Sequence, residues 1–403
     1  MQKKTDLRMS YLCLQATREG QASFSHVHEI ISGLSKRGWV VRLFQPDYFE
    51  KPLYSRFIVR LFLFILVQVR AFFAKKANVY YFRWHFALFP LALLFRIFKI
   101  PVVQEINGTL LDLYVSYPWT KKFERFFRYL ALKQLFWADR IIAVTPELCR
   151  WADRITRSKK SFHVTNGANV EIFRPDAQSV LFKPELCPYI IFFGSLSEWQ
   201  GIDIILQATL HEEWPEDVKL LVIGGGRLEE MAIKFSSEHK NVYFWKSIPQ
   251  KHLAGLISKS LAGISIGCVS PLNYGQKNSE KEKDIKCVIS ENEVSKIYSK
   301  SSNKECKVSP VKSFEIMACQ VPVIVSEQYS NIKQLVGEGA GIAIKRTPEV
   351  LARTVKFLHS NPEIRDAMGK KGREMVLKNF TWDIAAEKTH NVLLELSSRE
   401  GIK

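Results

Sequence analysis

The chain lacks paired cysteines. Its seven (Cys13, Cys149, Cys187, Cys268, Cys287, Cys306 and Cys319) are scattered, odd in number and include no CxxC pair. That excludes a disulfide framework or a zinc site and points to reduced thiols in a cytosolic setting. Long apolar runs are missing too. In residues 55–74, SRFIVRLFLFILVQVRAFFA, only nine uncharged residues separate Arg60 from Arg70, against roughly 20 for a membrane span. The charged opening MQKKTDLRMS runs straight into a strand-like segment, so no signal peptide is expected. Acidic residues are scarce in the first half of the chain. Residues 51–100 hold nine Lys/Arg and no Asp or Glu, and residues 1–175 hold 28 basic against 12 acidic residues. The remainder is nearly balanced, 30 against 28, within a net charge of +18. Such an asymmetry implies that the first half faces something anionic. Nucleic acid, an anionic membrane and a phosphorylated acceptor all qualify. The basic residues alternate with apolar helical runs and no nucleic-acid motif appears, which argues against the first.

What is present is a repeated α/β alternation. At 403 residues two domains are the natural division. Residues 7–14 read as a strand, Gln15–Ser23 as a polar loop containing Gly20, Phe24–Lys36 as a helix and Trp39–Phe44 as a strand. Gly20 stands where backbone can approach a phosphate. Further strands are expected at 79–83, 101–106, 138–144 and 162–165, with helices at 89–98 and 121–135. Residues 55–74 allow two readings, a basic aromatic helix lying on a membrane surface or a helix buried against a sheet face. The prolines of residues 174–188 mark a linker. Alternation then resumes with strands at 189–193, 218–223, 241–245 and 262–267. Residues 277–307 hold eight Lys and six Asp/Glu with little periodicity, which reads as a solvated insertion over 272–307.

The second half turns on Ser309–Ser326, SPVKSFEIMACQVPVIVS. Pro310 suits a first helical position, where its missing N–H costs nothing. A helix N-terminus attracts phosphate through free N–H groups and the dipole. Glu315, one turn further on, suits a pair of ribose hydroxyls, since an ionised carboxylate only accepts. An ordinary α/β helix with a solvated Glu is the competing reading.

Taken in order, these segments resemble a GT-B glycosyltransferase of the retaining family-four type. The motifs are the Gly20 loop, EING (Glu105–Gly108), ADRIIAVTPEL (Ala138–Leu148), TNGANVEIFRPD (Thr165–Asp176), GSLSEWQGID (Gly194–Asp203), Gly224–Gly226 and the Ser309–Ser326 stretch. The resemblance covers roughly residues 7–268 and 308–395. It implies two Rossmann-like doubly wound domains facing across a cleft. Residues 1–175 would form the acceptor domain and 176–380 the nucleotide-sugar donor domain. Residues 381–403, beginning in FTWDIAAEK, would form a helix crossing back.

The resemblance also implies roles. Gly20, Asn107, Gln200 and Lys312 would be catalytic. Gly194, Ser195, Gln200, Gly225, Ser309, Lys312 and Glu315 would bind the donor, with Glu105, Asn107 and His26 on the acceptor side. Retaining enzymes of this kind are thought to let the leaving diphosphate help deprotonate the acceptor, while the protein stabilises its charge. No cofactor or metal is expected, and the sequence has no Asp-x-Asp pair. Three positions depart from the pattern: Ser195 and Gln200 replace Arg and Lys, and Lys307 replaces the first Glu of a Glu-x7-Glu motif. Lys312 is the expected source of the missing charge. The expected partners are a nucleotide-sugar, a lipid-linked or polysaccharide acceptor and an anionic membrane surface met by the basic half, at the inner face of the plasma membrane. A degenerate sugar-nucleotide-binding protein of the same fold is the alternative.

Overall fold

The computed structural model describes residues 7–15, 17, 21–46, 57–108, 110, 113, 118–267, 309–329 and 336–400. Gly20 and the insertion at 272–307 lie outside the described residues. The first half is a parallel sheet of β1 (Leu7–Leu12), β2 (Trp39–Phe44), β3 (Val79–Arg83), β4 (Val102–Ile106), β5 (Arg140–Ala143) and β6 (Ser161–His163). Their spatial order is β2-β1-β3-β4-β5-β6. Helices α1 (Ala22–Lys36), α2 (Phe57–Phe72), α3 (Phe89–Ile97), α4 (Glu124–Trp137) and α5 (Pro146–Thr156) cover it.

The second half repeats the plan. Strands β7 (Tyr189–Ser195), β8 (Lys219–Gly225), β9 (Val242–Trp245), β10 (Ala262–Ser265), β11 (Val323–Ser326) and β12 (Gly341–Ile344) are ordered β12-β11-β10-β7-β8-β9. Its helices are α6 (Ile202–Ala208), α7 (Glu229–Glu238), α8 (Gln250–Ile257), α9 (Val311–Ala318), α10 (Pro348–Ser360) and α11 (Pro362–Asn379), and α12 (Trp382–Glu400) ends the described chain. All described ladders are parallel. Strand order therefore reverses between β1 and β3 in one sheet and between β7 and β10 in the other. Ligands of open α/β sheets sit outside the carboxyl ends of the strands at such switch points.

Period-two alternation divides the first sheet between two layers. Met9, Tyr11 and Cys13 point to the layer of α1 and α12. Leu12 and Leu14 point to the layer of α2 and α3, where Val67, Ala71, Leu91 and Phe95 are buried. The helix α2 is buried against the sheet on one face and leaves the other face exposed. Val67, Gln68 and Ala71 are buried, while Phe62, Ile65, Val69 and the adjoining Phe73 are exposed.

The halves are tied together by α12. It packs along α1, where a Cβ placed on Gly33 would stand 2.3 Å from the Ala386 Cβ. The helices touch too closely there for any larger residue. Arg37 pairs with Asp383 at 2.8 Å, and Trp39 Nε1 donates to His390 Nδ1 at 2.8 Å. A further tie is Gln250 Nε2 donating to Ser25 Oγ at 2.7 Å.

Two local expectations change. The last strand of the first half, expected over Phe162–Thr165, ends at His163, because Thr165 and Asn166 find polar partners in the second half instead of along the sheet. Pro310 caps α9 rather than opening it; the helix begins at Val311, with no side-chain cap and no acidic residue in its first turn.

Candidate active site

On the first half, the carboxyl ends of β1, β3 and β4 converge on Glu105. β4 is buried from end to end, so the Glu105 carboxylate has no exposure. Arg83, the last residue of β3, donates from Nη1 to Glu105 Oε1 at 2.6 Å, and from Nε to Gln15 Oε1 at 2.8 Å. Tyr11 OH donates to Oε2 at 2.9 Å, and Asn107 Nδ2 donates to Oε1. His26 Nε2 lies 2.9 Å from Oε1, off the line of a hydrogen bond. Burial opposes ionisation of Glu105. The His26 and Arg83 charges and the hydrogen bonds outweigh it and hold the carboxyl well below the usual carboxylate range.

His26 carries this cluster across to the second half. Its Nδ1 is 2.8 Å from Asn166 Oδ1, and Asn166 Nδ2 donates to the Ser309 carbonyl at 2.6 Å. A carbonyl only accepts, so the Ser309 contact fixes the amide orientation and makes Oδ1 the group facing His26. His26 Nδ1 therefore carries the hydrogen. Thr165 Oγ1 reaches Ser309 Oγ at 3.3 Å, and Trp382 of α12 meets the His26 ring edge-on at 5.3 Å. Ser309 precedes α9, so His26 and Asn166 link the Glu105 cluster to α9.

On the second half, β7 and β8 run out into glycine. Gly194 has φ +117° and Gly224 φ +152°; a Cβ on Gly224 would stand 1.9 Å from the Gly194 carbonyl oxygen. Only glycine fits this approach. Ser195, exposed, pairs in register with Gly225. Lys312, in the first turn of α9, reaches this rim. Its Nζ donates to Gln200 Oε1 at 2.7 Å, lies 4.2 Å from the centre of the Phe192 ring, and would be 3.8 Å from a Cβ on Gly194. Glu315 is buried one turn along the same helix. Burial lowers the Lys312 ammonium against the opposing pull of Glu315. Burial likewise raises the Glu315 carboxyl, against the opposing pull of Lys312.

The polarity of this rim is uneven. α7, which follows the glycine triplet, opens with Glu229 and Glu230. α9 opens with no acid and an uncapped N-terminus. An anion is therefore favoured at α9 and disfavoured at α7.

Of the residues singled out from sequence, Gly194, Gln200 and Lys312 come together, with Ser195 and Gly225 beside them and Glu315 on the same helix. Glu105, Asn107 and His26 form the second group, and Ser309 joins the two. His26 and Glu105 are turned inward and hold one another. Sequence reasoning missed Arg83, Tyr11 and Asn166. A lone arginine closing the apolar strand VYYFR is the signal for the first. Asn166 reads as a turn-former until Ser309 is brought beside it. Arg346 was missed as well. Its guanidinium lies 2.8 Å from where a Cβ on Gly201 would be, and its Nε is buried without a hydrogen-bond partner.

Residues 204–391 match a family model described as "Glycosyl transferase-like". No curated protein sequence matches the chain. Among solved structures, sucrose-phosphate synthase from Thermosynechococcus elongatus is similar over 97% of this chain and 99% of its own, at 16% identity and a TM-score of 0.75. Anabaena HepE in complex with UDP and glucose is similar over 96% of this chain and 100% of its own, at 13% identity and a TM-score of 0.66. S. aureus TarM, in complex with fondaparinux, alpha-GlcNAc-glycerol and UDP, is similar over 83% of this chain and 59% of its own, at 12% identity and a TM-score of 0.55. The two sheets thus form a GT-B fold, and residues 204–391 of its second half are similar to the glycosyl transferase-like family.

Proposed function

We propose that the chain is a glycosyltransferase that moves a sugar from a nucleoside-diphosphate donor to a glycan or lipid-linked acceptor. One observation carries this reading: Lys312, at the bare N-terminus of α9, faces the glycine rim of β7 and β8 at the strand-order reversal. In the proposed complex the diphosphate lies against the α9 N–H groups and Lys312, and Glu315 accepts from the ribose hydroxyls. Arg346 and Lys312 supply the charge that Ser195 and Gln200 lack. Developing negative charge on the leaving diphosphate is stabilised by donors already in place. That is the basis on which we propose transfer without a metal.

The same geometry supports retention. Glu105 is tied to Arg83, Tyr11, Asn107 and His26 and stays ionised, which makes it a weak base. His26 Nδ1 is committed to Asn166. With these groups engaged, the departing diphosphate is the base that takes the acceptor proton. We place the protein on the cytoplasmic side, peripherally at the plasma membrane. Among the described residues no helix is long and apolar enough to cross a membrane.

The test is binding and slow hydrolysis across UDP-, GDP- and ADP-sugars, with wild type beside Glu315→Ala and with chelator added. One donor should bind, chelator should leave its turnover unchanged, and Glu315→Ala should abolish binding. If no donor binds, the transferase reading fails. Binding without turnover on any acceptor would leave the degenerate binder in its place.

A further inference from the structure

The layer of α2, α3 and α4 is apolar on its outer side as well as on the side that packs against the sheet. On α2, Phe62, Ile65 and Val69 fall on one stripe at helical spacing and are exposed, as is Phe73 just after the helix, at 80%. At the end of α3, Ile97 and the capping Phe98 are exposed, and on α4, Phe126 and Tyr129. Ring contacts join the three. Phe72 touches both Phe73, at 5.2 Å, and Phe98, at 6.1 Å; Phe89 touches Tyr129 at 6.0 Å. A contiguous apolar surface of this kind on a water-soluble domain marks an interaction site.

Charge selects the occupant. Exposed Arg70, Lys75 and Lys76 adjoin the end of α2, Arg96 and Lys99 the end of α3, and Arg125 and Arg128 lie on α4. Residues 51–100 carry no acid. A second copy docking face to face would bring like charges together at close range. An apolar surface rimmed by Lys and Arg matches an anionic lipid surface, which takes aromatic side chains at the acyl boundary and cations at the headgroups.

We infer that α2, α3 and α4 form the face by which the protein docks on an anionic bilayer. Helices of a parallel sheet run antiparallel to its strands, so the start of α4 stands toward the carboxyl edge of the sheet, and exposed Arg125, Phe126, Arg128 and Tyr129 extend the face to that edge. The lipid plane then reaches the rim of the cleft, and an acceptor carried on a lipid enters from the side without leaving the bilayer. This last step rests on the transferase reading; the docking face does not.

The test is co-sedimentation of the full chain with vesicles of phosphatidylcholine alone and of phosphatidylcholine with phosphatidylglycerol. Wild type should pellet only with the anionic vesicles, and less as salt rises. Arg96→Gln with Lys99→Gln should lower partitioning about 30-fold, at about 5-fold per basic residue. Phe73→Ser with Phe98→Ser should lower it at least about 10-fold through lost apolar burial. Phe73→Trp should be quenched by brominated lipid. All variants should bind nucleotide-sugar in solution as wild type does, which separates docking from the donor site. Wild type remaining in the supernatant at low salt overturns the inference even if donor turnover is intact. So does self-association that Phe73→Ser abolishes while vesicle binding is unaffected.

Discussion

The two halves share one parallel α/β frame and handle buried charge differently. In the first, Glu105 has no exposure and is met by Arg83, Tyr11, Asn107 and His26. In the second, Lys312 meets a neutral amide and the face of Phe192, with the Glu315 carboxyl a turn away. A satisfied buried network holds one geometry. A desolvated cation with few partners gains most when an anion arrives. The first arrangement suits a platform and the second a ligand site. Asn166 links them through His26 and Ser309.

Breaking the platform should cost the most. Arg83→Met leaves the Glu105 carboxylate buried without its strongest partner, and loss of one member of a buried ion pair costs about 3–5 kcal/mol. Urea denaturation should show that loss; a shift under 1 kcal/mol would mean that the cluster is not holding the fold. Lys312→Met should do the reverse. Stability should stay level or rise, because a desolvated cation is removed, while turnover falls about 100- to 1000-fold as for other lost transition-state donors. Parallel losses of stability and turnover would erase the contrast between the halves.

The link should give an intermediate effect. Asn166→Ala strands the Ser309 carbonyl and the His26 Nδ1 hydrogen, at about 1–3 kcal/mol. Turnover should fall more than donor affinity, since the two halves lose their common path. An unchanged ratio of kcat to KM would reduce Asn166 to a turn-former.

Acidity should separate the halves next. Glu105 is ionised in the folded protein below its ordinary value near 4.5. The stability it contributes is present above that value and is lost as pH falls. Glu315 is pushed from 4.5 up to about 8 by burial. Folded protein keeps a proton there that the unfolded chain has released, so its contribution falls as pH rises through that window. Lys312 is pushed from 10.5 down to about 7, again by burial. Between those values the unfolded chain holds the extra proton, so stability rises with pH. Urea midpoints against pH should show Glu105→Gln flattening the acid limb, Glu315→Gln the neutral fall and Lys312→Met the alkaline rise. Smallest of all, Ser195→Ala at the exposed rim should change stability by less than about 0.5 kcal/mol.

Much of this was legible in the residues. Period-two strands, helical stripes and the linker specified two α/β units, since local spacing decides which face is apolar. The glycines ending β7 and β8 and the cation at the start of α9 were visible as candidate ligand contacts. His26 and Glu105 were visible as residues but not as partners. Their contact depends on which strands neighbour one another, and β1, β3 and β4 are adjacent only in the folded sheet. Likewise the run at 55–74 showed its composition, and only packing on the sheet showed which side of α2 stayed outside.

The amino-acid order alone determined the α/β alternation, the basic first half, the absence of a membrane-length apolar run and the placing of Lys312 three residues before Glu315 on one helix face. Tertiary structure decided that Arg83 and His26 close on Glu105, that Asn166 is a bridge rather than a turn, and that three helices present one apolar and basic face. The reason is physical. Periodicity and local charge are properties of neighbours in sequence. Burial, pairing and the protonation they impose come from residues brought together across as many as 351 positions, as Trp39 and His390 are.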